Sequence, residues 1–299
     1  MRAFAIAILL VTVRTATAQH LDYSKVVVST TSLRSGVYML QGAGSNVVVS
    51  VGNDGAFVVD DEFAPLSDRL LAAARKVRDV PVRYVANTHW HSDHTGGNAN
   101  MVRAGATIIA HENVRRRMTT RQVIEIEHDT TPASPASALP TRTFARRSGM
   151  RFNGDSIVLL HVPRAHTDGD AIVVFRTANV IATGDIWLNG SYPYIDVSTG
   201  GSLAGTIAAV DRVLALSNDS TKLVPGHGDV GTRRQLREYR HMLVSLRDRV
   251  APLVARGMTI EQVIAAKPLA SLDARWGQSF IPSELALRIV YANLAQSRK

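Results

Sequence analysis

Four side chains able to bind metal ions fall within six residues of the stretch Asn87-Thr88-His89-Trp90-His91-Ser92-Asp93-His94-Thr95-Gly96-Gly97-Asn98: His89, His91, Asp93 and His94. Imidazole nitrogen and carboxylate oxygen are the donors that zinc, iron and manganese accept. His89 and His91 are two residues apart, so in extended backbone they project to the same side. Asp93 and His94 follow where the chain turns and face a neighbouring point. That spacing suits two ions side by side better than one. The chain has no cysteine, so any metal is held by histidine and carboxylate, and disulfides are excluded.

The elements that must hold these side chains can be read on either side of them. Val82 to Asn87 is β-branched and aromatic enough for a strand, and Gly96-Gly97 leads into a short helix over 97–104. Upstream, Val26-Val27-Val28, Val37 to Leu40, Asn46 to Val51 and Ala56 to Asp60 alternate with Gly42-Ala43-Gly44 and Gly52-Asn53-Asp54-Gly55, as in an antiparallel meander with hairpin turns. Pro65 opens a helix over 66–77. Residues 106–110 read as a strand, 111–126 as an exposed helix, and the proline-bearing 129–140 as a loop beside the site. Strands recur at 142–144, 150–152, 156–162, 171–175 and 180–182. Ser202 caps a helix to Leu216, and Thr232 caps a long one to about Arg256. The tail, 259–299, reads as two helices.

The His89 to His94 motif, with three later ones in order, resembles the metallo-β-lactamase superfamily of hydrolases. The later motifs are Ala165-His166-Thr167-Asp168-Gly169-Asp170, Ala182-Thr183-Gly184-Asp185 and Val224-Pro225-Gly226-His227-Gly228. The resemblance runs from about Val37 to the end of the 220s. It implies an α/β fold, a four-layer αβ/βα sandwich of two mixed β-sheets flanked by helices. It also implies His89, His91 and His166 on one metal, Asp93, His94 and His227 on the other, and Asp185 between them. The expected cofactor is two zinc ions, with iron or manganese as alternatives. A water between two such cations ionises near neutral pH and serves as the nucleophile, with Asp93 orienting it, so no serine or cysteine nucleophile is required. Asn189 and Tyr192, together with Tyr194, are the residues expected to line the pocket and meet the substrate. Asp168 and Asp170 are second partners of ligating histidines or turn-forming acids, Trp90 is packing, and His111 and His161 lie outside the motif pattern.

The resemblance leaves the substrate open. A β-lactam, a lactone or another ester or amide-type bond fits the site. Asp185 is more like glyoxalase II and the lactonases than the β-lactamases that place cysteine there, so thiolester and phosphodiester hydrolysis stand as alternatives. So does an iron-dependent oxidation of persulfides. Composition sets the remaining bounds. The chain has 299 residues, 45% hydrophobic and 20% charged, with a formal net charge of +9. The basic residues are dispersed apart from Arg115-Arg116-Arg117 and Arg146-Arg147 and accompany no nucleic-acid motif, so they read as solvated faces and the expected partner is a small molecule. Residues 1–18 read as a secretory signal peptide ending in Ala16-Thr17-Ala18, with Gln19 as the mature start and 19–299 as one hydrolase domain, periplasmic or secreted. No apolar run is long enough to span a bilayer.

Overall fold

A computed structural model describes residues 22–296. The signal-peptide reading of 1–18 and the start at Gln19 lie outside the described residues. The chain runs through β1 (Ser29–Arg34), β2 (Val37–Gln41), β3 (Asn46–Gly52), β4 (Gly55–Val59), α1 (Ser67–Val77), β5 (Val82–Ala86), α2 (Ser92–Thr95), α3 (Asn98–Arg103), β6 (Thr107–His111), α4 (Glu112–Met118), β7 (Gln122–Ile124), β8 (Asp129–Thr131) and β9 (Arg142–Phe144). It continues with β10 (Arg147–Phe152), β11 (Asp155–His161), β12 (Ala171–Phe175), β13 (Val180–Ala182), α5 (Leu203–Leu216), β14 (Lys222–Val224), α6 (Arg233–Ala255), α7 (Ile260–Ala265), α8 (Ala270–Trp276) and α9 (Ser283–Gln296).

Two mixed sheets carry the structure. The first has the order β1-β2-β3-β4-β5-β6-β9, antiparallel from β1 to β4 and parallel from β4 to β9. The second has the order β10-β11-β12-β13-β14, antiparallel except for the parallel pair β13–β14. Period-two alternation decides the layers. Val48 and Phe57 of the first sheet meet Ile157, Leu159, Val173 and Phe175 of the second in one core between the sheets. Their neighbours Val47, Val49 and Val58 point the other way, onto Leu66, Leu70 and Ala74 beside and within α1. Val158, Ile172 and Val174 likewise turn outward to the face covered by α5, α6 and α9. Helix, sheet, sheet and helix are the four layers read from the sequence. Each fully buried Val, Leu or Phe contributes about 1.5–3 kcal/mol, which is why both faces of these strands are apolar.

Several boundaries differ from the sequence reading. The 26–28 run is not a strand; β1 begins at Ser29, opposite Gln41, and beyond Gln41 the partner strand gives way to the Gly42 loop, leaving nothing for 26–28 to pair with. The helix expected over 111–126 stops at Met118. Val123 and Ile124 form β7 instead and pair with β8 across a turn that passes through His128 in the left-handed region (φ 53°). The loop expected over 129–140 therefore begins as a strand. The tail holds three helices rather than two, because Pro268 and the Gly277 to Pro282 stretch each interrupt the helical run. Among the described residues no helix is long and apolar enough to cross a membrane.

Candidate metal centre

Strand ends deliver the ligand-type residues to one edge of the sandwich. The loop after β5 carries His89 and His91, and the short α2 that follows carries Asp93 and His94. The β11–β12 loop carries His166, the turn after β13 carries Asp185, and the loop after β14 carries His227. These seven residues converge as three overlapping groups: His89, His91 and His166; His89, His94 and Asp185; and Asp93, His94 and His227. Within each group the ligand atoms lie no more than 4.8 Å apart. His166 Nε2 stands 2.9 Å from His91 Nδ1, and His227 Nε2 stands 3.2 Å from Asp93 Oδ2 and 3.5 Å from Asp185 Oδ2.

Outer hydrogen bonds fix which ring nitrogen faces inward. His91 donates Nε2–H to Asp196 (3.1 Å), turning Nδ1 to the cluster. His166 donates Nδ1–H to the Tyr194 carbonyl (2.8 Å), turning Nε2 inward. Asp60, at the end of β4, does this for one histidine of each triad. Its Oδ2 takes His94 Nδ1–H directly at 2.8 Å. It also takes the Thr88 hydroxyl at 2.8 Å, and that oxygen lies 3.0 Å from His89 Nδ1. Asp170 accepts from the Thr167 amide and hydroxyl and so holds the turn that carries His166. Asn46, at the start of β3, donates to the carbonyls of Pro225 and Gly228 and pins the loop of His227. Glycine is required where the Asp185 carboxylate passes Gly226: a Cβ there would sit 1.9 Å from Asp185 Oδ1.

The donor set fits divalent cations. His89 Nε2, His94 Nε2 and Asp185 Oδ1 are buried in the cluster and none meets a hydrogen-bond partner; His94 Nε2 and Asp185 Oδ1 face each other at 3.2 Å as an ion pair, and His89 Nε2 has no such partner. An unsatisfied buried polar atom costs about 1–3 kcal/mol, so the lone His89 nitrogen, pointing into a set of converging donors, calls for an ion. Burial, with the neighbouring imidazoles, holds His89 well below the usual histidine range, and burial takes His166 down to about 4, so both keep a free lone pair. For His94 and His227 burial pulls the same way, but Asp93 and Asp185 outweigh it, and His227 rises to about 10. Asp93 and Asp185 lie well below the carboxylate range, since His94 and His227 overcome the cost of burial. Two neutral imidazoles and two ionised carboxylates are ready-made ligands, and the two protonated imidazoles occupy the charge that cations would supply.

Above the cluster lies a cavity of about 370 Å³, within the range of small-molecule sites. His91, Asp93, Asp185 and His227 form its floor, and Tyr194, Glu127, Asp129, Phe280, Ile281 and Leu285 are among its walls. Tyr194 Oη is buried and lacks a hydrogen-bond partner. The structure places Tyr192 elsewhere: it is fully buried and donates to Asp273 (2.7 Å). Asn189 donates to the Asp229 carbonyl and does not line the cavity. Asp168 pairs with Arg116 and Arg117 instead of with a ligating histidine, so two of the three arginines read as solvated are ion-paired. Trp90 is buried in the core and reaches Thr199, which in turn bonds Asp196. His111 and His161 stack on each other at 3.7 Å, and neither belongs to the cluster.

Sequence reading passed over Asp60, Asn46, Asp196 and, of the cavity wall, Glu127, Phe280, Ile281 and Leu285. Asp60 left a signal: three acids, Asp60-Asp61-Glu62, close a strand otherwise wholly apolar. Phe280 left none, since its position depends on how the tail folds back.

Residues 34–227 match the metallo-beta-lactamase superfamily. A hydroxyacylglutathione hydrolase of Polaromonas sp. is 28% identical over 127 residues, 38% of this chain and 48% of that protein. The lactamase-like protein aptB of Emericella nidulans is 23% identical over 175 residues, 58% of this chain and 50% of that protein. The chain thus spans about half the length of the curated relatives it matches. Among solved structures, a metallo-beta-lactamase from Pontibacter korlensis has a TM-score of 0.60 at 18% identity, covering 73% of this chain and 99% of that one. A double mutant of the sec-alkyl sulfatase PisA1 has a TM-score of 0.67 at 17% identity, covering 88% and 50%. At these identities the structural likeness shows the fold alone.

Proposed function

We propose, from the premise that the chain belongs to the metallo-beta-lactamase superfamily, that it is a hydrolase of an ester- or amide-type acyl bond (lactone, thiolester or β-lactam) that works with two divalent cations, zinc first. One observation carries the reading: seven donors converge at one edge of the sandwich, with buried ligand atoms of His89, His94 and Asp185 that make no hydrogen bond among them. His89, His91 and His166 would hold one cation, Asp93, His94 and His227 the other, with Asp185 facing both. Cations bound there would supply Lewis acidity toward an acyl oxygen and ease the ionisation of a water.

The chain's own residues have the remaining tasks. Asp93 is a partly exposed ligand at the cavity floor and is held ionised, so it accepts a hydrogen bond from the attacking water and orients it. Tyr194 lines the same cavity with a buried hydroxyl near Glu127. Burial and then the Glu127 carboxylate raise its pKa, so it stays protonated and donates to the oxyanion that develops on the acyl carbon. Within the acyl class, the carboxylate at position 185 and the likeness to a protein named hydroxyacylglutathione hydrolase support a thiolester as the second substrate to try.

The test joins metal analysis to a hydrolysis panel. Zinc-reconstituted protein is expected to hold close to two ions per chain and to cleave at least one lactone, thiolester or β-lactam. Fewer than one ion per chain after reconstitution defeats the two-cation reading. Iron in place of zinc, with no hydrolysis, favours oxidation chemistry instead.

A further inference from the structure

The charge of the cavity runs against the charge of the chain. The sequence carries 34 Lys and Arg against 25 Asp and Glu, yet the cavity lining contains neither Lys nor Arg and four carboxylates: Asp93, Glu127, Asp129 and Asp185. Asp93 and Asp185 belong to the cluster at the floor, where they compensate bound cations. Glu127 and Asp129 have no such task. They come from the turn and second strand of the β7–β8 hairpin and are exposed at the rim.

The two remaining wall types sit at different ends. Phe280 lies against the imidazole of His227, with ring centroids 5.3 Å apart, and is 57% exposed although it is a large apolar side chain. Ile281 and Leu285, at and after the start of the same C-terminal segment, extend that apolar wall. Tyr194, whose ring is 6.1 Å from His91, stands at the other end, and Glu127 acts on its hydroxyl there. A molecule seated over the cluster therefore meets the Phe280 ring beside His227, and Tyr194 with the Glu127 carboxylate beside His91. The buried Tyr194 hydroxyl, which makes no close hydrogen bond and has the Glu127 carboxylate as its neighbour, marks the acidic end as a place that receives a polar group.

From this layout we propose that the cavity selects acyl substrates bearing an apolar arm and a cationic group and rejects those bearing a carboxylate; the inference rests on the hydrolase reading and specifies its substrate. The apolar arm lies on Phe280, Ile281 and Leu285, and the cation faces Glu127 and Asp129. The floor acts on the scissile group, and the rim acts on what the substrate carries away from it. An anionic arm would meet two like charges and no guanidinium or ammonium to pair with.

Binding of zinc-directed thiols tests this apart from turnover. Three benzyl thiols share one thiol and one ring and differ at the para position: trimethylammonium, its neutral isostere tert-butyl, and carboxylate. Their dissociation constants on the zinc-loaded protein are measured by calorimetry at low and at high ionic strength. The cationic thiol is expected to bind about tenfold tighter than the anionic one at low salt, with the tert-butyl thiol between them, as two exposed carboxylates acting with opposite sign on the two probes would give. High salt narrows the ratio. The double variant Glu127→Gln/Asp129→Asn, both exposed sites, brings it close to one without changing zinc content. A carboxylate thiol that binds as well as or better than the cationic one overturns the charge selection while leaving the metal site intact. So does a ratio that survives the double variant. If none of the thiols binds zinc-loaded protein, the hydrolase reading falls, and this inference with it.

Discussion

His94 is wholly buried, with one ring nitrogen held at 2.8 Å by Asp60 and the other facing Asp93 and Asp185. Phe280, whose ring packs on His227 across the same cavity, is more than half exposed and sits on an irregular segment between α8 and α9. The contrast extends to the two regions they belong to. The cluster hangs from the ends of β5, β13 and β14, the parallel strands of two well-packed sheets, and outer donors and acceptors lock four of its histidines. The wall is a short hairpin and a tail segment that lies beyond residue 227, where the superfamily match ends. A site that must hold atoms to within fractions of an ångström is built on rigid elements. A surface that only has to suit the shape and charge of a substrate arm can rest on loops.

Removing the cations should separate the regions most clearly. Chelation is expected to abolish hydrolysis and to lower the melting temperature by about 5–10 °C, since ligand at a hundredfold over its dissociation constant adds about 2.7 kcal/mol of stability. Hydrogen exchange should quicken in 87–98 and 224–228 and stay unchanged in the β7–β8 hairpin. Equal quickening in the hairpin would mean that wall and cluster are one unit.

The next largest effect is expected from Asp185→Asn. The shape is kept, but one negative charge between two cations is lost. Turnover should fall at least about a thousandfold, because metal-based stabilisation is worth several kcal/mol and each 1.36 kcal/mol is a factor of ten. Zinc stoichiometry should drop toward one, and the far-ultraviolet spectrum should not change. Two retained zinc ions with normal turnover would show Asp185 to be a strand-end acid and nothing more. Asp60→Asn comes third. Asp60 touches no cation, but it orients His94 directly and His89 through Thr88, so zinc affinity should weaken about 10–100-fold at both positions. Weakening of one ion alone would break the relay through Thr88.

The same contrast explains what could be read in advance. The layers were legible because strands such as β3 and β11 alternate between two apolar environments. The ligand set was legible because its members sit in short motifs at strand ends, where local spacing already fixes which way a side chain faces. Asp60 and Asn46 were harder. Each acts across the fold, Asp60 on residues 28 and 34 positions away and Asn46 on a loop 179 to 182 positions away. The wall was legible only in part: Tyr194 and the start of the 129–140 segment were expected at the pocket and line it, and the hairpin and Phe280 were not. Residues 122–124 have a helix-compatible pattern until β8 pairs with them, and Tyr192 and Tyr194 are equivalent in sequence until the tail gives Tyr192 a partner in Asp273.

The smallest effect is expected at Phe280, and it sharpens the comparison from the side of the wall. Phe280→Ala removes an exposed ring, so no cavity opens in the core and the melting temperature should stay within about 1 °C, as for surface changes generally. No ligand atom is touched, and zinc content should stay at two. What changes is the apolar surface offered to a substrate arm beside His227. Losing part of an aromatic contact costs about 1–2 kcal/mol of arm binding, which raises KM roughly five- to thirtyfold. The arm binds equally in the ground state and the transition state, so kcat should hold. A substrate lacking the arm should show no change. If Phe280→Ala instead lowers kcat and leaves KM alone, the ring positions His227, and the wall shares in the chemistry of the cluster. If neither constant moves for any armed substrate, the arm does not lie on the His227 side, and the apolar end of the cavity is elsewhere.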